Sequence, residues 1–594
     1  MRVADYIAAL VAAHGVQDFF TVTGGGAMHL NDASSRNKNL HGICLHHEQA
    51  CAMAAEAYCR LSGRLALLNV TTGPGGINAL NGVHGAWTDS IGMLVISGQV
   101  KQETMASSYD LPLRQLGDQE ADIVAMVRGI TKFATVLRDK QEARYMVEKA
   151  IHLARTGRPG PVWIDVPMDI QGAQIEPETL RGFTPEPEPA PPDVAAVAAL
   201  LREAKRPVIM PGTGVRISGA YDDFLRLVEL TKFPVATAFN AHDVLPEDHP
   251  AYVGRPGTVG NRAGNFAVQN ADVVLILGCR LNIRQISYNW ENFAPDAVKI
   301  MVDIDSAELA KPTLEIENPV LADLKVFIPA LVQELDNFAP STAQAAYLAW
   351  CHERRRRYPV LQPEYADDSR GINPYVFADK LFDAMGENDV VVTANATACV
   401  TTFQAAKLKA GQRMFSNSGS ASMGYDLPAA IGAAYAAPGK RIICLAGDGS
   451  IMMNLQELQS IFAQKLNIKI FLLNNAGYSS IKQTQTAFFA DNMFGCDATN
   501  GVTFPDFCRV AAAFGLPARR VAGHAELPSA LAEVLTAPGP QFCEIALDPA
   551  QGFAPKLSSR KLDDGRMVSS PLHDMAPFLP REELAANMWN DTDA

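Results

Sequence analysis

The chain has 594 residues, 48% of them hydrophobic and 19% charged, with a formal net charge of −13. That length exceeds what one hydrophobic core serves, so about three domains of ordinary soluble composition are expected. The acidic balance argues against a nucleic-acid surface, and no stretch of about 18 apolar residues offers a membrane span.

The N-terminal MRVADYIAALVAAHG carries an Asp inside an apolar stretch of helical periodicity. It reads as an ordinary helix, neither signal peptide nor membrane span. HHEQACAMAAEAYCRLSG follows a short apolar run and predicts a helix starting near Glu48, with Gly63 as its stop. Glu48 thus falls at a helix N-terminus on the edge of a predicted sheet, where a glutamate is either functional or simply favoured by the helix dipole. Residues 65–70 and 93–97 read as strands. A first domain over 1–182 ends in the Pro-rich, acidic linker 183–193.

A central domain is expected over 194–334. The strand-like VIM precedes Gly212-Thr213-Gly214 and a helix pattern, a weak dinucleotide fingerprint. A second linker is expected within 338–372, where the basic run 354–357 reads as a solvated helix face. A third domain over 373–550 and a Ser-, Pro- and charge-rich tail over 551–594 complete the chain; the tail reads as a lid or as a solvated arm. Ten cysteines lie scattered without a C-x-x-C pair or metal-ligand spacing, which fits reduced thiols in the cytoplasm.

The third domain holds the most informative stretch, residues 441–483. An apolar run at 442–446 predicts a buried parallel strand, Gly447-Asp448-Gly449-Ser450 turns the chain, and 451–464 has helical periodicity. A second strand at 468–473 ends in Asn474-Asn475-Ala476-Gly477. Such a βαβ unit brings Asp448 and Asn475 to carboxyl ends of strands, where open α/β sheets bind ligands. A carboxylate, an amide oxygen and a backbone carbonyl are hard ligands suited to Mg²⁺, and amides of the Gly449-Ser450 turn would face a diphosphate. A lone GDG is no more than a turn. GDGS followed, 27 residues after its Asp, by the second Asn of a pair is far more specific.

That pair resembles the cofactor signature of thiamin-diphosphate (ThDP) enzymes. The stretches HEQA-x-A-M-A-A-E-A-Y-x-R, NVTTGPGG, ISGQV and SASMGYDLPAAIGA extend the resemblance to the acetolactate synthase-like family across roughly residues 1–550. The resemblance implies an α/β fold of three doubly wound parallel-sheet domains, binding the pyrimidine, a nucleotide or FAD, and the diphosphate. It implies an obligate homo-oligomer, a dimer or dimer of dimers, whose active site lies at the dimer interface. Mg²⁺ would be held by the side chains of Asp448 and Asn475 and the carbonyl of Gly477. Glu48 would bond N1′ of the aminopyrimidine and favour the tautomer whose N4′ removes the C2 proton. ThDP contacts would come from Pro74, Gly447, Gly449, Ser450 and Tyr478, with Thr397 taking a phosphate contact in a loop that lacks the family's Gly-Gln-His-Gln. Met423 matches the apolar wedge that keeps ThDP bent, although a Met is also an ordinary core filler. Gln119 would reach the C2-bound intermediate, or is a surface-loop residue. The amides of Gly25 and Gly26 would face a substrate oxyanion.

In the central domain Gly278-x-Arg280-x-Asn282-x-Arg284 resembles an FAD-contacting pattern with Asn in place of Asp. Gly212, Gly214, Asp303 and Asp323 would complete that site; the other reading is a vestigial domain, or one binding an adenine nucleotide as in oxalyl-CoA decarboxylases. Ser480, Ile481 and Thr484 stand where acetolactate synthases place the Met, Val and Trp of a small acceptor pocket. The expected reaction is decarboxylation of a 2-oxo acid, pyruvate, with acetyl transfer to an acceptor carbonyl, a bulky ketone such as a keto-sugar, as in branched-sugar carboligases of the yersiniose type. Acetolactate synthase proper, or another 2-oxo acid or oxalyl-CoA-type decarboxylase, is the alternative. Retention of Glu48, Asp448, Asn475 and Met423 counts against a non-catalytic paralogue.

Overall fold

The computed structural model describes residues 1–187, 192–489, 492–561 and 564–589. Among the described residues are three six-stranded sheets, each parallel throughout, and one antiparallel pair of short strands, Ser559–Lys561 and Met567–Ser569. Their central strands are apolar and buried on both faces, as MLVISGQ at Met93–Gln99 and IKIFLLN at Ile468–Asn474 illustrate. That doubly covered arrangement is the α/β architecture expected.

The first sheet runs His41–Cys44, Asp18–Thr21, Leu67–Val70, Met93–Gln99, Pro161–Pro167, Phe133–Val136. The third runs Arg413–Phe415, Val390–Thr393, Ile442–Gly447, Ile468–Asn474, Gln541–Ala546, Ala518–Val521. Both have the order 2-1-3-4-6-5, so each has a switch point between its first and third strands, where a crevice opens at the carboxyl ends. The central sheet, numbered along the chain from Pro207–Pro211, has the order 3-2-1-4-5-6 of dinucleotide-binding folds.

The first and third domains are pressed together through two helices, Glu48–Ser62 and Asp426–Ala436. Their approach requires glycine: a Cβ on Gly432 would lie 2.0 Å from the carbonyl oxygen of Ala54. Tyr425 Oη donates to Glu56 Oε2 at 2.5 Å, and the buried Arg60 bridges Glu56 and Asp89. Removing one partner would leave a buried charge uncompensated.

Three expectations change. The helix expected over 451–464 is two pieces, Asp448–Ile451 and Glu457–Ala463. Between them the fully buried Asn454 turns its amide to the carbonyl of Gly424 at 2.7 Å and to Gln49 Oε1 at 3.1 Å, a tie to other segments that periodicity does not register. Within the second expected linker lies the helix Thr342–Arg357, opened by a Ser341/Gln344 capping box and burying Tyr347, Trp350 and Cys351. Its basic end is engaged: Arg355 donates to Glu247, and Arg357 to Glu583. The tail is not a solvated arm. Leu557 N donates to Thr258 O at 2.7 Å, Arg262 Nη1 to Met575 O at 3.1 Å, and Trp589 packs edge-on against Tyr347 and Trp350. Apolar residues such as Leu572 and Met575 give the tail a buried face on the central domain. Part of the first linker, 188–191, and the end of the tail, 590–594, lie outside the described residues.

Candidate active site

The helix predicted from Glu48 to the Gly63 stop is Glu48–Ser62, with Gly63 left-handed at φ +70°. His47 caps its start through Nδ1, which accepts from Gln49 N at 3.0 Å. Glu48, only 9% exposed, accepts from Asn78 Nδ2 at 3.0 Å. Asn78 was absent from the residues expected at the site; its place one turn after Pro74 is the only sequence signal for it.

Glycines draw several loops around Glu48. A Cβ on Gly75 would lie 3.4 Å from Glu48 Oε1, one on Gly73 (φ +55°) 1.8 Å from Gln119 O, and one on Gly26 1.8 Å from Thr72 Oγ1. Gly25 and Gly26, Pro74, Gln119 and Glu48 therefore share one loop cluster on the first sheet. Gln119 itself holds φ +61°, uncommon for a residue with a side chain. Its neighbour Glu120 pins the loop by accepting from the amides of Ala106, Leu116 and Gly117. The buried hydroxyls of Thr71 and Thr72 have no protein partner.

The second cluster lies at the switch point of the third sheet, where Thr397 follows Val390–Thr393 and Asp448 follows Ile442–Gly447. Asp448 Oδ1 accepts from Gly449 N at 2.7 Å and Oδ2 from Gly477 N at 3.0 Å. Burial pushes its carboxyl up to about 6, against the pull of those amides. Asn475 Nδ2 donates to Thr397 Oγ1 at 3.3 Å, while its Oδ1 is buried with no partner. A buried acceptor lacking a donor is costly, and a cation satisfies it. An amide oxygen, a carboxylate and the nearby Gly477 carbonyl form a donor set that fits Mg²⁺. Thr397 is thus tied to Asn475, one of the candidate cation ligands.

The Met423 loop is fastened to the same cluster. Gly424 N donates to Ser450 Oγ at 2.8 Å, and Gly424, at φ +81°, passes so close that a Cβ would meet Met453 and Asn454. Gly449 lies under the ring of Tyr478, which packs edge-on against Phe504. Gly449 N is spent on its own Asp448, so of the amides expected to face a diphosphate this one is already engaged. Among the described residues, no hydrogen bond joins Glu48 to Asp448 or Asn475.

Models of thiamine pyrophosphate enzymes match the chain in three places: the N-terminal TPP binding domain at 1–126, the central domain at 194–331 and the C-terminal TPP binding domain at 396–545. The chain belongs to the thiamine pyrophosphate enzyme family. Within it the chain is acetolactate synthase-like. It is 30% identical to the probable acetolactate synthase large subunit of Methanocaldococcus jannaschii over 93% of each chain. It is 30% identical to the acetolactate synthase isozyme 1 large subunit of Escherichia coli over 93% of this chain and 95% of that one. With the probable chloroplastic acetolactate synthase 2 of Oryza sativa subsp. japonica it shares 32% identity over 94% of this chain and 84% of the other.

Most of the residues expected at a flavin site are engaged within this thiamine pyrophosphate enzyme. Gly212 N donates to Leu277 O and Gly214 N to Gly278 O, and a Cβ on either Gly214 or Gly278 would lie 2.7 Å from the Cα of the other. Asp303 accepts from Asp305 N, and Asp323 caps the helix Leu324–Glu334. Arg284 lies over the ring of Phe239, and the Arg280 side chain donates no hydrogen bond to the described residues. Ser480, Ile481 and Thr484, the residues expected at an acceptor pocket, lie on the helix Ser479–Phe489, with Ile481 47% exposed. Thr484 Oγ1 donates to Ser480 O at 3.0 Å, so its hydroxyl proton is already used. Among the described residues no helix is long and apolar enough to cross a membrane.

Proposed function

We propose that this enzyme decarboxylates pyruvate and transfers the acetyl unit to an acceptor carbonyl, with Mg²⁺ and ThDP as cofactors. The observation that carries this reading is the buried, unpartnered Asn475 Oδ1 beside Asp448 at the switch point of the third sheet. Thiamin diphosphate, when bound, supplies the thiazolium carbon nucleophile and the electron sink that decarboxylation requires. Asp448, Asn475 and the Gly477 carbonyl would hold the cation that anchors its diphosphate, with Thr397 orienting Asn475. Glu48 would hold the proton at N1′ of the aminopyrimidine, and the Asn78 amide keeps the Glu48 carboxyl in place. Met423 would press on the cofactor from a loop tied down by Ser450. Gln119 and the Gly25-Gly26 amides would line the substrate side.

Glu48 and Asp448 sit on separate clusters with no bond between them, and apolar side chains including Ile77, Met453, Phe488, Phe489 and Phe494 are exposed on one chain. Both features support a homodimer whose sites combine the first domain of one subunit with the third of the other. FAD belongs to the reading as a structural cofactor, supported by the dinucleotide strand order of the central sheet and by Arg280 and Arg284. A yellow protein releasing FAD on denaturation is expected; release of ADP instead would replace flavin with an adenine nucleotide.

Small side chains at Ser480 and Thr484 support a bulky ketone, such as a keto-sugar, as acceptor, because they leave volume where a large ring would close the pocket. The second reading, acetolactate synthase proper with pyruvate as its own acceptor, is favoured by the names of the relatives. Product analysis with pyruvate alone and with a keto-sugar present separates the two. Exclusive formation of acetolactate would rule out the sugar-acceptor reading.

A further inference from the structure

Asp506, Cys508 and Glu544 place three ligand-type atoms within 4.8 Å of one another. Donors already point into this group, which speaks against a cation there. Cys508 Sγ lies 3.4 Å from Glu544 Oε2, Arg520 Nη2 lies 3.0 Å from the same oxygen, and Asn474 Nδ2 donates to Glu544 Oε1 at 2.8 Å. Burial beside Glu544 pushes the Cys508 thiol up to about 12, so it remains a donor. Glu544 is 2% exposed, on the strand Gln541–Ala546 next to Ile468–Asn474. What it holds is the first Asn of the pair.

Asn474 passes the constraint on. Its Oδ1 accepts from Ala476 N at 2.9 Å, closing the turn that contains Asn475. Ala476 adopts φ +60°, a conformation that a residue with a Cβ keeps only when its surroundings impose it. The next residue, Gly477, then donates to Asp448 Oδ2, and Asn475 presents its unpartnered Oδ1. Leu547 N donates to Asn474 O and ties the backbone of the same residue to the neighbouring strand.

We infer that Glu544 is a positioning residue for the metal ligands: through Asn474 it imposes the turn that aims Asn475 Oδ1 and the Gly477 carbonyl at one point. The inference rests on the reading of Asp448, Asn475 and Gly477 as cation ligands. Outer partners of metal ligands commonly set affinity by about 10- to 100-fold, and a change in that range is expected here.

The test is Mn²⁺ binding to the full-length protein with ThDP present, followed by electron paramagnetic resonance, in wild type, Asn474→Ala, Glu544→Leu, which removes the acceptor for Asn474 Nδ2, the double variant and Asp448→Ala. Both single variants are expected to weaken Mn²⁺ at least about tenfold while keeping the wild-type circular dichroism. The double variant is expected to be no weaker than the worse single, because the two residues act in one chain of bonds. High Mn²⁺ should restore turnover in both. If Glu544→Leu fails to fold, the partly exposed Asn474→Ala carries the test alone. Unchanged affinity in Asn474→Ala, or additive losses in the double variant, overturns the inference while a loss in Asp448→Ala leaves the metal site standing. If Asp448→Ala also binds Mn²⁺ like wild type, the metal-site reading fails and the inference falls with it.

Discussion

Gly449 and Tyr478 are in direct contact: a Cβ on Gly449 would lie 2.0 Å from Tyr478 Cε1. The second glycine of GDG is therefore demanded by an aromatic ring that follows the Asn pair, and the two halves of the signature are fitted to each other. Gly449→Ala must push that ring away or tilt the Asp448 turn. The expected outcome is at least a tenfold loss of ThDP affinity by calorimetry, corresponding to about 1.4 kcal/mol. Gly449→Ala combined with Tyr478→Ala should recover part of it. Equal losses in single and double variants would show that the contact is not what limits binding.

Glu48 sets the second prediction. Glu48→Gln keeps a side chain that can still meet Asn78 but cannot hold an acid proton at N1′. ThDP binding should be retained and C2–H/D exchange slowed by orders of magnitude. Wild-type exchange in the variant would remove Glu48 from its role.

Assembly gives a third. Glu48→Gln and Asp448→Ala homodimers should each be inactive. Subunit exchange between them should restore activity in one of the two sites of each heterodimer, because one site then receives both intact residues. Were each site built within one chain, no mixture would be active.

Asp165 gives the pH prediction. It is 1% exposed, accepts from Ser97 Oγ at 2.5 Å and from Gln99 Nε2 at 2.9 Å, and burial pushes its carboxyl up to about 7. A folded value above the unfolded one means its contribution is full below about pH 4 and is lost as pH rises through about 7. The loss is on the order of 4 kcal/mol by the size of that shift, as an upper figure. Asp165→Asn should flatten the wild-type fall in urea-unfolding stability between about pH 5 and pH 7, an interval that lies within the steep part. An equal slope in both proteins would contradict it. Gln99 Nε2 also donates to Ala121 O, so the same network borders the Gln119 loop.

The acceptor is tested by Thr484→Trp. Refilling the volume should lower the ratio of mixed ligation product to acetolactate by roughly 10-fold or more, within the 1–3 kcal/mol that one pocket contact supplies. The ratio is measured with both acceptors present. No change would detach Thr484 from acceptor choice.

Local chemistry made much of this protein legible in its sequence. Doubly buried parallel strands appear as apolar runs, the Glu48 helix carries its own stop in Gly63, and the spacing of Asp448 and Asn475 marks two neighbouring strand ends. Those signals depend on residues close in the chain or on a motif of fixed length. Tertiary structure alone decided the rest. Asn454 breaks an apparently continuous helix because its bonding partners, Gly424 and Gln49, are 30 and 405 residues away. The tail is a strap because its apolar residues find a face on the central domain, whereas its composition shows only polarity. Thr397 meets Asn475 across 78 residues, and Glu544 reaches the Asn pair from an adjacent strand 70 residues later. Hydrogen-bond partners so distant leave no periodicity in the chain; only the parallel sheet, by stacking strand ends side by side, brings them within reach.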